Sequence, residues 1–524
     1  MTATGLIDRI EDALRPLAIA ANEASWAVNV QSTEDTERAK VRADLALTGF
    51  LGDRELLEHV EAGLRNGASP AERRALGAVR DWAIPHQIPE PLRRELVQLE
   101  ASVEARYTQH RGMVRGAEVS DNEIKRVLRH GDDPAERREA WLASKTVGAV
   151  VADDVRRLAR LRNEVARHRG YRDWFALAIE TMEMTETRLQ ETLAEADRLT
   201  ARPFREWKNR YDAALAARFG VGAGELRPWH YDDPFFQDVP RAASVDLDEL
   251  LSRTDIVELS RQTFLGLGFE TAPIIRRSDL FPRDGKCQHA FCMHVDREGD
   301  IRVLCNIEAN KDWMDTTLHE LGHAVYDEGI DTGLRWLLRD CHLTTTEGMA
   351  LLAGGLVEDP LWLQRVVGMS AADAVELTRP LAVSRAVDLL VFTRWVLVMT
   401  SFERELYRDP DGDLDAIWWE LVHRYQRVIP PADRHAPDWA AKIHVACSPV
   451  YYHTYLYGKL VAAQLRAALE REAGGIVGQG DAGRFLTERL FRPGLGRRWD
   501  KLVEDVTGES LTARFFAAEI ERGL

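Results

Sequence analysis

The chain has 524 residues, 45% of them hydrophobic and 29% charged, with a formal net charge of −16. That composition suits a soluble protein with a sizeable core and excludes a disordered or fibrous chain. The acidic balance argues against nucleic acid and against anionic membrane surfaces, since both require a basic face.

The first residues, MTATGLIDRIEDALRPLAIAANEASW, carry Asp8, Arg9, Glu11 and Asp12 where a signal peptide needs an apolar core. Apolar residues at 6, 7, 10, 14, 17 and 18 follow the stripe of an amphipathic helix. No stretch approaches the roughly 18 apolar residues of a membrane span. Helical patterning dominates residues 1–270, with long runs at 89–111, 134–168 and 186–219; Asp132 or Asp133 can cap a helix with Pro134 in its first turn. Residues 220–245, rich in Gly, Pro and aromatics, read as a long loop between two helical halves, about 1–230 and 245–524.

HAFCMHV (289–295) and IRVLCNI (301–307) are β-leaning runs around the polar turn DREGD and predict a hairpin at about 289–307. Helical patterns resume at 311–327, 344–357, 379–407, 414–427, 449–472, 497–506 and 510–521. The expected architecture is mostly α, one catalytic domain over 1–524 with one small sheet. Five cysteines without a CxxC pair (287, 292, 305, 341 and 447) suit free thiols in a reducing cytoplasm.

The chemistry centres on His319-Glu320-Leu321-Gly322-His323. Histidines at i and i+4 share a helix face, so two imidazoles can converge on one ion, with Glu320 beside them as general base for water. Glu347, in TTTEGMALL, lies 24 residues past His323 and can complete a His₂Glu set. Thr344 and Glu347 also fit a capping box, S/T-x-x-E, which needs no metal. Further on, His444 is followed by the tyrosine-dense run PVYYHTYLYG, in which Tyr452 and Tyr455 are three apart and share a face. Such neutral donors can bond an oxyanion; they also fit an aromatic core stripe.

Those residues, in that order, resemble the angiotensin-converting-enzyme family of zinc dipeptidyl carboxypeptidases, and less closely the thimet oligopeptidase and oligoendopeptidase F family. IRVLCNIEANKDWMDTTLHELGHAVY and residues 418–458 carry the likeness most strongly, with weaker pieces at 21–29 and 496–511. The resemblance implies a single helical ellipsoid with a deep substrate channel and one Zn²⁺ per chain. It implies His319, His323 and Glu347 as ligands, Glu320 as base and proton shuttle, and His444 and Tyr455 as oxyanion donors. It further implies that His289 and Ala290 pair with an extended peptide by β-augmentation. Lys442 and Tyr452 would bind the substrate's C-terminal carboxylate.

Several positions depart from the family pattern. The acidic residue four positions after the glutamate ligand is Leu351, and the chloride-binding arginine is Thr454. One extra residue lies between His444 and Tyr452, so Tyr451 competes for the carboxylate role. A glutamine expected beside the lysine is not evident near PWHYDD (228–233). The expected activity is hydrolysis of short peptides, releasing C-terminal dipeptides, with no nucleic-acid or membrane partner. An oligoendopeptidase, a biosynthetic enzyme for a dedicated peptide or amide, and a non-catalytic peptide-binding protein are the alternatives.

Overall fold

The computed structural model describes residues 2–66, 68–432 and 434–524, and among them helices dominate, with two small antiparallel two-stranded sheets. The mostly α expectation holds. Helices start where polar side chains satisfy their first amides. Thr2 accepts from the Gly5 amide at the head of Ala3–Val30. Asp133, one of the two caps expected, accepts from the Ala135 amide before Pro134–His168. The stripe read in the first helix is the face it buries: Leu6, Ile7, Ile10 and Leu14. They pack with Leu56, Val60, Leu76, Val79 and Trp336, each such side chain contributing about 1.5–3 kcal/mol on burial.

The chain forms two compact units. One comprises Met1–Gln87, Val245–Leu381 and Tyr457–Phe516; the other comprises Ile88–Ser244, Ala382–Leu456 and Ala517–Leu524. Neither is a continuous half. The chain passes from one to the other at Ser244 to Val245 and again inside unbroken helices such as Tyr452–Ala473, where no local signal changes.

In the first unit the predicted hairpin forms from Phe291–His294 and Ile301–Leu304, with Cys292 opposite Val303. Asp279 bridges Leu304 on the far side, so Phe291–His294 is left with one unpaired edge among the described residues. His289 and Ala290 fall just ahead of this strand rather than within it, with His289 exposed. Helices Lys311–Glu328 and Leu343–Gly354 pack face to face. Gly322 permits their close approach, since a Cβ there would lie 2.9 Å from Ala350 Cα.

In the second unit, residues 220–244 contain no α-helix, only short 3₁₀ turns such as Pro228–His230. Residues 226–237 of it are nonetheless buried or half-buried, and long side chains from neighbouring helices bind their carbonyls. Arg137 donates to Trp229 and Tyr231, Lys145 to Pro234, and Gln426 to Phe236. A second hairpin, Gly112–Val114 with Ala117–Val119, was not expected; its three-residue strands are too short to show periodicity. All five cysteines are free thiols. No described helix is long and apolar enough to cross a membrane.

Candidate metal centre

His319 and His323 project from one face of Lys311–Glu328, a helix capped by Asn310. Glu347 comes from Leu343–Gly354. One donor atom from each of the three lies within 4.8 Å of the others. The capping alternative for Glu347 is not what forms: the helix is capped by His342, whose Nδ1 accepts from the Thr344 amide at 3.1 Å. The Glu347 carboxylate instead lies 3.8 Å from His319 Nε2. Gly458 leaves room for it, since a Cβ there would come within 3.0 Å of Glu347 Cβ.

The electrostatics of this cluster fit a cation. Burial, reinforced by the charge of Lys459, pulls His319 down to about 4. Burial, with His319 beside it, pulls His323 down to about 3. Both imidazoles are therefore neutral at pH 7, with ring lone pairs free to donate. His323 Nδ1 lies 2.7 Å from the Thr346 hydroxyl, which leaves Nε2 facing His319 Nε2 at 3.2 Å. Two nitrogens and a carboxylate so arranged can hold a cation between them. The carboxyls agree: burial lifts Glu347 to about 7, and burial plus the Glu347 charge lifts Glu320 to about 8. A divalent ion would offset the cost of ionising both.

Glu320 is buried beside the unpaired edge of Phe291–His294, where the Cys292 amide donates to its carboxylate and opposes the upward shift. Thr346 and the Cys292 amide escaped sequence reading. Thr346 is adjacent to Glu347, but no spacing rule marks a hydroxyl as partner to an imidazole on another helix. Leu351 stands where the resemblance led us to expect an acid, and the hydroxyl at 346 is the imidazole partner found instead.

The second unit carries His444, Lys442, Tyr452 and Tyr455. His444 and Tyr452 pack with ring centroids 5.0 Å apart and planes tilted by 51°, and the Tyr452 and Tyr455 rings lie 5.6 Å apart edge to face. Burial, with Lys442 nearby, lowers His444 to about 4, so it is neutral at pH 7. Lys442 Nζ donates to Gln237 Oε1 at 2.8 Å and sits 5.6 Å over the Tyr452 ring. Burial, partly opposed by Asp238 and Asp233, lowers its ammonium to about 8. Gln237 was not singled out in the sequence. It lies past PWHYDD, on a loop folded by Asp233, whose carboxylate accepts from the Phe235 and Gln237 amides. Tyr451 contacts Tyr455 at 5.2 Å, whereas Tyr452 is the tyrosine that touches both His444 and Lys442.

The family model described as angiotensin-converting enzyme matches residues 1–198 and 251–516. An angiotensin-converting enzyme from Theromyzon tessulatum is 21% identical over 550 residues, covering 95% of this chain and 87% of that protein. Carboxypeptidase 1 of Bacillus subtilis is 22% identical over 257 residues, 43% of this chain and 50% of that protein. Thermostable carboxypeptidase 1 of Thermus thermophilus is 28% identical over 236 residues, 39% and 45% of the two chains. With the match spanning most of its length, this chain belongs to the angiotensin-converting enzyme family of zinc metallopeptidases.

Proposed function

We propose that the protein hydrolyses short peptides and releases C-terminal dipeptides, using one zinc ion held by His319, His323 and Glu347. A zinc ion in that set supplies Lewis acidity toward a carbonyl oxygen and makes water a stronger acid. Glu320 takes a proton from the attacking water on its carboxylate and returns it to the leaving amine. The Cys292 amide holds that carboxylate in place. Tyr455 and His444 donate to the oxygen on which negative charge develops. His289 and Ala290, with the unpaired strand edge after them, align the substrate backbone.

The observation that carries the exopeptidase reading is the Lys442–Gln237 pair, 2.8 Å apart and beside Tyr452. A half-buried ammonium next to an amide and a phenol suits a terminal carboxylate, a charge-assisted contact worth about 1.5–3 kcal/mol. Such a clamp fixes the cleaved bond at a set distance from the terminus. Digesting a defined peptide mixture and weighing the products tests this: dipeptides from the C-terminus are expected. Cleavage at internal bonds, indifferent to the terminus, would favour an oligoendopeptidase, and single C-terminal residues would favour a carboxypeptidase. The free thiols suit a cytoplasmic site of action.

A further inference from the structure

Glu403 is a carboxyl that the chemistry above does not use. It sits on Ala371–Arg408 with 1% of its surface exposed. Its Oε1 accepts from the Val450 amide at 2.6 Å. Burial lifts the carboxyl to about 8, opposed by that amide and by the Arg162 guanidinium, so it carries little charge at neutral pH. An uncharged acid in a core is expensive to retain unless its hydrogen bond matters.

The residue it holds is unusual. Val450 has φ +58° and is 1% exposed. A β-branched side chain in the left-handed region is strained, and such a conformation persists only where the surroundings impose it. The turn is immediately followed by Tyr451, whose carbonyl accepts from both the amide and the hydroxyl of Thr454. The helix Tyr452–Ala473 starts there. Its first turn carries Tyr452 and Tyr455. Burial is the main cause that raises the Tyr452 phenol, and Glu403 lies within electrostatic reach of it.

We propose that Glu403 is a positioning residue: by binding the Val450 amide it imposes the left-handed turn that aims Tyr452 and Tyr455. This rests on the reading of Tyr455 as an oxyanion donor. The requirement is an acceptor oxygen at the end of a side chain of this length, not a charge. Glutamine meets it, whereas aspartate keeps the acid but withdraws the oxygen by one methylene.

The test is steady-state kinetics of the zinc-loaded enzyme as wild type, Glu403→Gln, Glu403→Asp and Glu403→Asp with Val450→Gly. Glu403→Gln should keep kcat within about threefold, and Glu403→Asp should lose at least about tenfold in kcat with KM nearly unchanged. Glycine takes a positive φ without strain, so the added Val450→Gly should recover most of that kcat, even though it lowers Tm. Glu403→Asp with normal kcat, Glu403→Gln as impaired as Glu403→Asp, or no recovery with glycine would overturn the positioning role. Tyr455→Phe separates the levels. If wild type cleaves peptides and Tyr455→Phe is impaired while Glu403→Asp is normal, only the positioning role fails. A wild type that cleaves no peptide overturns the proposed function and the positioning role with it.

Discussion

His323 Nδ1 lies 2.7 Å from the hydroxyl of Thr346, so the residue before Glu347 in sequence fixes the imidazole on the neighbouring helix. That contact sets which ring nitrogen faces His319 and Glu347. Replacing Thr346 with Val removes the hydroxyl while nearly keeping the shape. Zinc affinity, measured by competition with a chelator, should fall about 10–100-fold, and Thr346→Ser should restore it. Unchanged affinity in Thr346→Val would show that the hydroxyl does not orient the ligand.

The Lys442–Gln237 pair predicts a requirement for a free terminus. Amidation of a peptide's C-terminus should cost the wild type at least about tenfold in kcat/KM. Lys442→Ala should no longer distinguish acid from amide, and Gln237→Leu should distinguish them less than wild type. Equal cleavage of acid and amide by the wild type would remove the clamp.

Metal binding should depend on pH in a defined direction. Burial holds the Glu347 carboxyl near 7 in the metal-free protein, so it is largely protonated below that pH and must lose its proton to act as a ligand. The metal-free fold binds more protons here than the unfolded chain between about 4.5 and 7, so ionising Glu347 weakens it as pH rises through 7. Zinc removes that loss. The gain in Tm on adding saturating zinc should therefore grow from pH 6 to pH 8. A gain that is flat or shrinks over this range would contradict the assignment of Glu347.

Thr454 predicts indifference to chloride. Its hydroxyl donates to the Tyr451 carbonyl at 2.7 Å, and it has no charge with which to hold an anion. Replacing chloride with acetate should change kcat/KM less than about twofold. A saturable, strong activation by chloride would mean that another cation takes the part of the missing arginine.

What the sequence revealed, and what it hid, follows from how local each signal is. His319, Glu320 and His323 share one helix, so their common face follows from spacing alone, and the structure brings the two histidines together with Glu347. The same holds for the hairpin at Phe291–His294 and Ile301–Leu304, whose β-branched runs flank a polar turn. Gln237 was illegible because its place beside Lys442 depends on a loop folded around a buried Asp233. Glu403 reads as one more acid on a long helix until the positive φ of Val450, 47 residues later, shows what it holds. The interleaving of the two units was hidden for a related reason, since the chain crosses between them within continuous helices.

The most direct measurement of the central claim is metal content and turnover of Glu320→Gln side by side with wild type. Glu320 is not among the three converging side chains; it stands beside them, held by the Cys292 amide. Glutamine fills the same space but cannot take a proton from water or return it to an amine. The account predicts about one zinc per chain in both proteins, with kcat in the variant lower by at least about 10³-fold. Wild-type protein that binds no zinc, or a Glu320→Gln variant with near-normal turnover, would contradict it.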